Sequence, residues 1–297
     1  MLPIFLRLAT VLAALSLSAS IPLNAQSEPK PPVAPALWVI GDADTTIYLF
    51  GTIHALPQGI DWFQGKVAHA FTASDMLVTE VTGQDDPAMQ ALVFKLAALP
   101  EGASLRGQMP AEERAAYDKA LVQFNIQPAM LDRFEPWYAA MALSTLPMVQ
   151  QGYSPANGVE GTLAREADAR KMPQVGLETV EYQLGLFDGL PSDVQQRYLG
   201  EVIEQLPNIR EQIGAIVTAW KAGDAGELAQ LMNFGEDDPA FAEAMLLGRN
   251  RKWAMWLDER LDRPGTVFVA VGAGHLAGKG SVQEQLAERG IGTARVQ

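Results

Sequence analysis

The stretch Thr46-Ile-Tyr-Leu-Phe-Gly-Thr-Ile-His54 decides the predicted fold of this 297-residue chain. An apolar, strand-like run ends at a glycine, and a histidine follows three positions later. The same arrangement returns near the other end, in Thr266-Val-Phe-Val-Ala-Val-Gly-Ala-Gly-His275. The chain has only three histidines, so two of them share one local context. Because open α/β sheets hold their functional groups where strands end, we expect His54 and His275 to meet in one cleft.

Two shorter strand-like segments also end at a residue that could bind a metal ion. The predicted strand over 76–80 ends in Glu80, and the one over 173–178 ends in Glu178. Two imidazoles with one or two carboxylates suit a divalent ion such as zinc, manganese, iron or cobalt. Such an ion lowers the pKa of its bound water to about 7, which favours hydrolysis. Each residue also has a structural alternative: a hydrogen-bonded histidine, a solvated carboxylate or a helix cap.

The amino-acid composition excludes several kinds of metal site, nucleophile and partner. The chain contains no cysteine, which excludes thiolate zinc sites, iron–sulfur clusters and a cysteine nucleophile, so any metal must use nitrogen and oxygen ligands. Its net charge of −13 would repel a phosphate backbone. We therefore expect a peptide or small-molecule substrate and no nucleic-acid partner.

The first 25 residues have the pattern of a secretory signal peptide. Arg7 precedes a short apolar stretch over 8–19, and small residues follow it. We expect cleavage after Ala25, with a cut near Ser20 or an uncleaved amphipathic anchor as alternatives. A Pro-rich linker over 26–36 comes next. These features predict a periplasmic or secreted protein with no stable membrane span after signal removal.

Strand patterns at both ends flank a helical middle. A hairpin is predicted from strands over 37–40 and 46–50, a helix with a surface or packed His69 over 65–73, and a last short strand over 291–296. The middle region, about 87–263, is helical in pattern, with helices over 201–221 and 239–261 among others. The predicted fold class is α/β of the mixed α+β kind. A single domain over 37–297 has a sheet core formed by both chain ends and a large helical insertion between them.

A basic segment, Gly248-Arg-Asn-Arg-Lys-Trp253, precedes the last long strand. The default interpretation of such a run is a solvated helix face. Arg249 and Asn250 could instead serve catalysis, with the cation holding a substrate carboxylate or an oxyanion. Trp253 and Trp256 are at helical spacing and are predicted to be core residues.

Other catalytic motifs are absent from the sequence. Residues 272–277 fit the dinucleotide fingerprint formally, but no acidic residue follows on a second strand, and the last predicted strand carries Arg295. The chain also lacks a Gly-x-Ser-x-Gly elbow, a P-loop and a His-Glu-x-x-His pair. We therefore predict no bound nucleotide cofactor.

Together these residues resemble the TraB/GumN family, which is related to the Tiki proteases and more distantly to erythromycin esterase-like and ChaN-like proteins. The resemblance covers about residues 37–296. It lies in the two Gly-x-x-His motifs, Glu80, the segment Val175-Gly-Leu-Glu-Thr179 with Gln183, and Arg249-Asn250. It implies an α/β core, with His54 and His275 as metal ligands and Glu80 as a ligand or general base. In the Tiki branch it implies a protease that depends on manganese or cobalt.

Three functions remain open from the sequence. The first is a metal-dependent hydrolase, in particular a peptidase, with His54, His275, Glu80 and Glu178 at the metal and Glu80, Arg249 and Asn250 in catalysis. The second is a metal-independent, esterase-like hydrolase that uses the same histidines and Glu80. The third is a non-enzymatic protein that binds haem or a metal ion.

Overall fold

A six-stranded mixed sheet carries the fold, in a computed structural model that describes residues 33–83, 87–232 and 238–297. The predicted signal peptide and most of the linker lie outside the described residues. The predicted mixed α/β class, with strands from both chain ends and helices between them, is confirmed. The strands are β1 (Leu37–Gly41), β2 (Thr45–Thr52), β3 (Met76–Thr79), β4 (Gln174–Gly176), β5 (Gly265–Gly272) and β6 (Ala294–Arg295).

The strand order is β4-β3-β5-β2-β1-β6, and the four strands β4, β3, β5 and β2 run parallel to one another. The longest pairing joins β2 to β5, from Thr45 opposite Gly265 to Thr52 opposite Gly272. At one side of the sheet β1 pairs antiparallel with β2, and β6 pairs antiparallel with β1. Because four adjacent strands share a direction, their carboxyl ends meet at one edge of the sheet.

Helices fill the region between β3 and β5 and cover the sheet. A predicted helix over 201–221 is wrong in one respect: it is interrupted at 206–208, where Pro207 has no backbone N–H to donate. The helices are α1 (Gly65–Thr72), α2 (Pro87–Leu96), α3 (Leu105–Gln108), α4 (Ala111–Gln123), α5 (Pro128–Leu131), α6 (Pro136–Gln150), α7 (Val159–Arg170), α8 (Val180–Asp188), α9 (Ser192–Gln205), α10 (Ile209–Ala222), α11 (Ala225–Leu231), α12 (Pro239–Ala242), α13 (Gly248–Leu261) and α14 (Val282–Glu288).

Both faces of the central strands are buried. In β5, Phe268 packs with Trp220 of α10 on one face, while Val267 and Val269 pack with Leu257 of α13 on the other. A strand that is covered on both faces needs apolar residues at successive positions, which is why β2 and β5 are continuous apolar runs. The helical middle has a core of its own around Trp137. No described helix is long and apolar enough to cross a membrane.

Three short turns complete the described chain. A 3-10 turn over Pro155–Asn157 precedes α7, and a π-helical turn over Glu243–Leu247 joins α12 to α13, so the helix predicted over 239–261 is continuous but irregular. The chain leaves β5 in a 3-10 turn over Ala273–Leu276. This turn differs from the long helix that a dinucleotide-binding glycine motif opens.

Candidate active site

The four predicted strand-end groups lie together at one edge of the sheet. Glu178 follows β4, Glu80 follows β3, His275 follows β5 and His54 follows β2, in the spatial order of the strands. The Glu178 backbone N–H donates to the Glu80 carbonyl oxygen at 2.8 Å, which extends the β3–β4 pairing into the site. The arrangement follows from strand direction alone, since each group comes just after the carboxyl end of a parallel strand.

Gly272 borders a small space between three of these groups. A Cβ atom placed on it would lie 3.1 Å from Glu80 Oε1, 3.5 Å from His275 Cδ2 and 3.9 Å from His54 Nε2. Any larger residue would therefore put its side chain among the two histidines and the carboxylate. The first residue of the second Gly-x-x-His motif keeps this space open.

A buried cation connects the two carboxylates. Arg249 Nη2 donates to Glu80 Oε2 at 2.5 Å and to Glu178 Oε2 at 2.9 Å, and its Nε donates to Glu178 Oε1 at 3.1 Å. Gln183 Nε2 donates to one oxygen of each carboxylate, both at 2.9 Å. Two carboxylates share one guanidinium, so this group of side chains retains a net negative charge. That charge favours a further cation or proton nearby.

Glu80 is held ionised. Burial would raise its pKa, but the charge that His275 acquires only at acid pH, the charges of Arg249 and His54 and a hydrogen bond from the Gly272 N–H lower it to about 2. The Gly272 N–H donates to Glu80 Oε1 at 2.7 Å. At neutral pH, Glu80 is therefore a stable negative charge and a poor proton acceptor.

His275 is buried and neutral. Its Nδ1 lies 2.6 Å from Asn250 Oδ1, which can only accept, so Nδ1 carries the proton and Nε2 has a free lone pair. That lone pair faces Arg249 Nη1 at 3.1 Å and Glu80 Oε1 at 3.9 Å. Burial lowers the pKa of His275 to about 3. The ring also packs on Trp253, with centroids 4.4 Å apart.

The interpretation of Arg249 and Asn250 as a solvated helix face is wrong. Both are buried in the first turn of α13, with exposed fractions of 8% and 0%. The Asn250 Nδ2 donates to the Gly280 carbonyl at 2.8 Å, which fixes the amide that holds His275. Trp253 is buried as predicted, and its indole N–H also donates to Glu178 Oε1 at 3.1 Å.

His54 differs from His275 in exposure and charge. Its side chain is 73% exposed, and its Nδ1 lies 2.6 Å from Glu160 Oε1. The negative charge of Glu160 raises the pKa of His54 to about 9. The imidazole is therefore protonated at neutral pH in the absence of a metal, with Nε2 directed to the space beside Gly272.

Glu160 is a site residue that the sequence interpretation missed. It lies in the first turn of α7, and its Oε1 accepts a hydrogen bond from Thr52 Oγ1 at 2.5 Å besides facing His54. Burial would raise its pKa, but the charge of His54 and these hydrogen bonds lower it. Glu160 follows no strand, so the strand-end pattern could not identify it. The available signal was an acidic residue two positions after Gly158, in the first turn of a helix.

The donor atoms suit a divalent metal ion in kind. In both histidines Nδ1 is held by a side-chain oxygen, an arrangement typical of metal ligands, which leaves the two Nε2 atoms and Glu80 Oε1 to bind the ion. Their spacing fits less well: across 33–83, 87–232 and 238–297, no three His, Asp or Glu side chains are grouped closely enough to hold a metal. A metal ion can bind His275 only if the guanidinium of Arg249 moves away from Nε2, because the single lone pair of Nε2 cannot bind the ion and accept from Arg249 together.

Comparison with known proteins identifies the family of this chain. The family model described as the TraB/PrgY/gumN family matches residues 36–295. An uncharacterized protein of Treponema pallidum (strain Nichols) is 22% identical, over 85% of this chain and 80% of its own length. The uncharacterized protein YbaP of Escherichia coli (strain K12) is also 22% identical, over 85% of this chain and 92% of its own length. No solved structure matches the chain. The match to the family model spans nearly all of the described residues, so this chain belongs to the TraB/PrgY/gumN family.

Proposed function

We propose that this chain is a hydrolase in which water attacks a substrate carbonyl beside Gly272. The observation that carries the proposal is the small space bordered by His54 Nε2, Glu80 Oε1 and the ring of His275. An exposed imidazole with one fixed nitrogen can exchange a proton with water or a leaving group. A buried positive charge near the same space can stabilise a developing oxyanion.

The roles of the side chains follow from their contacts. His54 Nε2 is the atom at which a proton is taken up or released, because the other ring nitrogen faces Glu160. Glu80 stays ionised and supplies negative charge, while Arg249 carries the positive charge 3.1 Å from His275 Nε2. Asn250 acts through His275, whose Nδ1 it holds.

A divalent ion, with manganese, cobalt and zinc as the candidates, would be held by His54, His275 and Glu80 and would supply an activated water and a Lewis acid. Glu178 would support Glu80 through the shared Arg249 and Gln183. The net negative charge of the two carboxylates with one guanidinium supports the binding of a cation. The resemblance to Tiki proteases favours a peptide bond as the substrate, and the signal peptide predicted over 1–25 favours export.

A metal-independent hydrolase is the second candidate. It is favoured by the contact between Arg249 Nη1 and His275 Nε2, which engages the lone pair that a metal would need. In this case the unprotonated fraction of His54, which grows as pH rises toward about 9, takes the proton from the attacking water and passes it to the leaving group, and Arg249 remains in place as the stabilising charge.

Metal analysis and activity assays of the purified full chain test both candidates. The probes are fluorescein-labelled casein, a mixture of quenched fluorescent peptides and p-nitrophenyl esters, each with EDTA or with added Mn²⁺, Co²⁺ or Zn²⁺. We expect hydrolysis that is lost in His54→Ala and kept in His69→Ala, a matched control in α1 beside Tyr48 and Lys66. Glu80→Gln removes the negative charge at the same space and should also abolish activity.

Each outcome selects one function. Activity that needs added metal, with bound metal at one ion per chain, supports the first candidate. Activity that is unaffected by EDTA but lost in His54→Ala supports the second. Bound metal, or a Soret band after haem titration, without hydrolysis of any probe would overturn both in favour of a binding protein.

A further inference from the structure

Glu160 is a largely buried carboxylate, with 15% of its side chain exposed, for which the proposed reaction has no direct use. It reaches the site from α7, whose start is joined to the first Gly-x-x-His motif. The Val159 N–H donates to the Ile53 carbonyl oxygen at 3.1 Å. A Cβ atom at Gly158 would lie 2.1 Å from the His54 carbonyl oxygen, so only glycine permits this approach. The helix start and the histidine are therefore fixed relative to each other by backbone contacts.

The Glu160 side chain is itself held in place. Its Oε1 accepts from Thr52 Oγ1 at 2.5 Å and lies 2.6 Å from His54 Nδ1. Thr52 is the last residue of β2 and His54 follows two positions later, so strand, helix and histidine are joined at one carboxylate oxygen. An exposed imidazole would otherwise sample several rotamers, and this contact selects one of them.

The second oxygen of Glu160 argues against a purely structural role. Oε2 is buried, and no donor among the described residues contacts it. A buried acceptor without a donor costs stability, so a residue selected for stability alone would satisfy both oxygens or be apolar. The other histidine offers a parallel: Asn250 Oδ1 holds His275 Nδ1 at the same distance of 2.6 Å.

We propose that Glu160 is a positioning residue of the site: through Oε1 it fixes the ring of His54 with Nε2 directed to the space beside Gly272. This inference rests on the hydrolase proposed above. It deepens that proposal by adding a third carboxylate, which acts through His54 and does not touch the substrate. Loss of such a partner typically lowers metal affinity or activity about 10- to 100-fold.

Four variants test the assignment: Glu160→Ala, Glu160→Gln, His54→Ala and the control Glu166→Gln. Glu166 lies in the same helix, and its substitution removes the same charge. The first readout is independent of activity: long-range ¹H–¹⁵N spectra of the histidine side chains, in which His54→Ala identifies the His54 signals. The second is the separate measurement of kcat and KM on whichever of the casein, peptide or ester probes is hydrolysed fastest.

We expect the hydrogen-bonded Nδ1 proton signal of His54 in the unsubstituted protein and in Glu166→Gln, and its loss in Glu160→Ala. We expect kcat of Glu160→Ala to fall about 10- to 100-fold with KM unchanged. Glu160→Gln should recover part of the Nδ1 proton signal and part of kcat, because its amide oxygen can accept the same hydrogen bond. Because Glu160→Ala also removes the acceptor of the Thr52 hydroxyl and the charge that faces His54, its thermal midpoint should fall below that of Glu166→Gln.

An unchanged His54 spectrum in Glu160→Ala overturns the inference, whatever the activity. If Glu160→Ala does not fold, an unchanged kcat in Glu160→Gln together with a lost Nδ1 signal also overturns it, because orientation would then not matter. If His54→Ala is fully active, the proposed function fails while the spectrum still tests the positioning. If His54→Ala is inactive and Glu160→Ala has an unchanged kcat, only the role of Glu160 fails.

Discussion

The two Gly-x-x-His motifs end neighbouring strands but place their histidines in opposite environments. His54 is 73% exposed and faces a carboxylate, while His275 has a side-chain exposure of 9% and faces a neutral amide. Each Nδ1 lies 2.6 Å from its partner oxygen, and each partner is in the first turn of a helix. The charge of Glu160 raises the pKa of His54 to about 9, whereas burial lowers that of His275 to about 3. A repeated motif therefore specifies a position in the sheet, and the helix partner and the burial of each histidine set its charge.

The largest expected effect is on activity. Replacing the exposed His54 with alanine should lower kcat/KM about 10²- to 10⁴-fold and leave the fold intact. His275→Ala should lose activity as well. It also leaves the buried Arg249 without its acceptor and the buried Asn250 without its donor, which should lower the free energy of unfolding by about 1 to 3 kcal/mol. Activity assays and urea unfolding of both variants measure the difference. Equal stability of the two variants would contradict the comparison.

The next effect concerns the cation on the His275 side. Arg249→Met leaves Glu80 and Glu178 buried without their shared partner and should lower the free energy of unfolding by about 3 to 5 kcal/mol. Arg251→Met is the matched control, because that arginine is half exposed and pairs with the exposed Glu243. Its loss should cost about 0 to 1 kcal/mol. Urea unfolding of both variants checks the prediction, and similar losses would show that the site cation is not needed for stability.

The pH dependence of stability distinguishes the two histidines in the metal-free protein. His54 has its pKa raised, so its contribution to stability is fully present below the unfolded value of 6.5 and is lost as pH rises through about 9. His275 has its pKa lowered, so its contribution is present above 6.5 and is lost as pH falls toward about 3. Histidine NMR titrations measure both values directly. Two pKa values near 6.5 would mean that the two environments do not differ.

The smallest expected effect comes from Thr52→Val. This change removes the hydroxyl that holds Glu160 but keeps the size and shape of the side chain. It should cost about 0.5 to 1.5 kcal/mol of stability, as for one hydrogen bond, and lower kcat a few-fold through the looser Glu160. Thr46→Val on the same strand is the control. A larger effect of Thr46→Val would show that the Thr52 hydroxyl does not connect β2 to His54 through Glu160.

Sequence patterns predicted the strand-end half of the site. His54, Glu80, Glu178 and His275 follow apolar runs, and parallel strands bring such positions together. Glu160 could not be found in this way, because its proximity to His54 depends on the close backbone contact at Gly158. The burial of Arg249 and Asn250 was also hidden, since Arg251 and Lys252 beside them are exposed and make the segment look solvated. The break at Pro207 follows from backbone chemistry, because proline has no N–H to donate within a helix.

The pairing of β2 with β5 also bears on how the protein folds. The two strands come from opposite ends of the chain, yet they form the longest parallel pairing of the sheet. Contacts between distant segments form slowly, because the intervening loop must first lose its conformational freedom. His54 and His275 thus come together only after β2 and β5 have paired, which closes the helical insertion between them into a loop. A partly synthesised or partly folded chain has half a site, so any hydrolytic activity would emerge together with the finished fold.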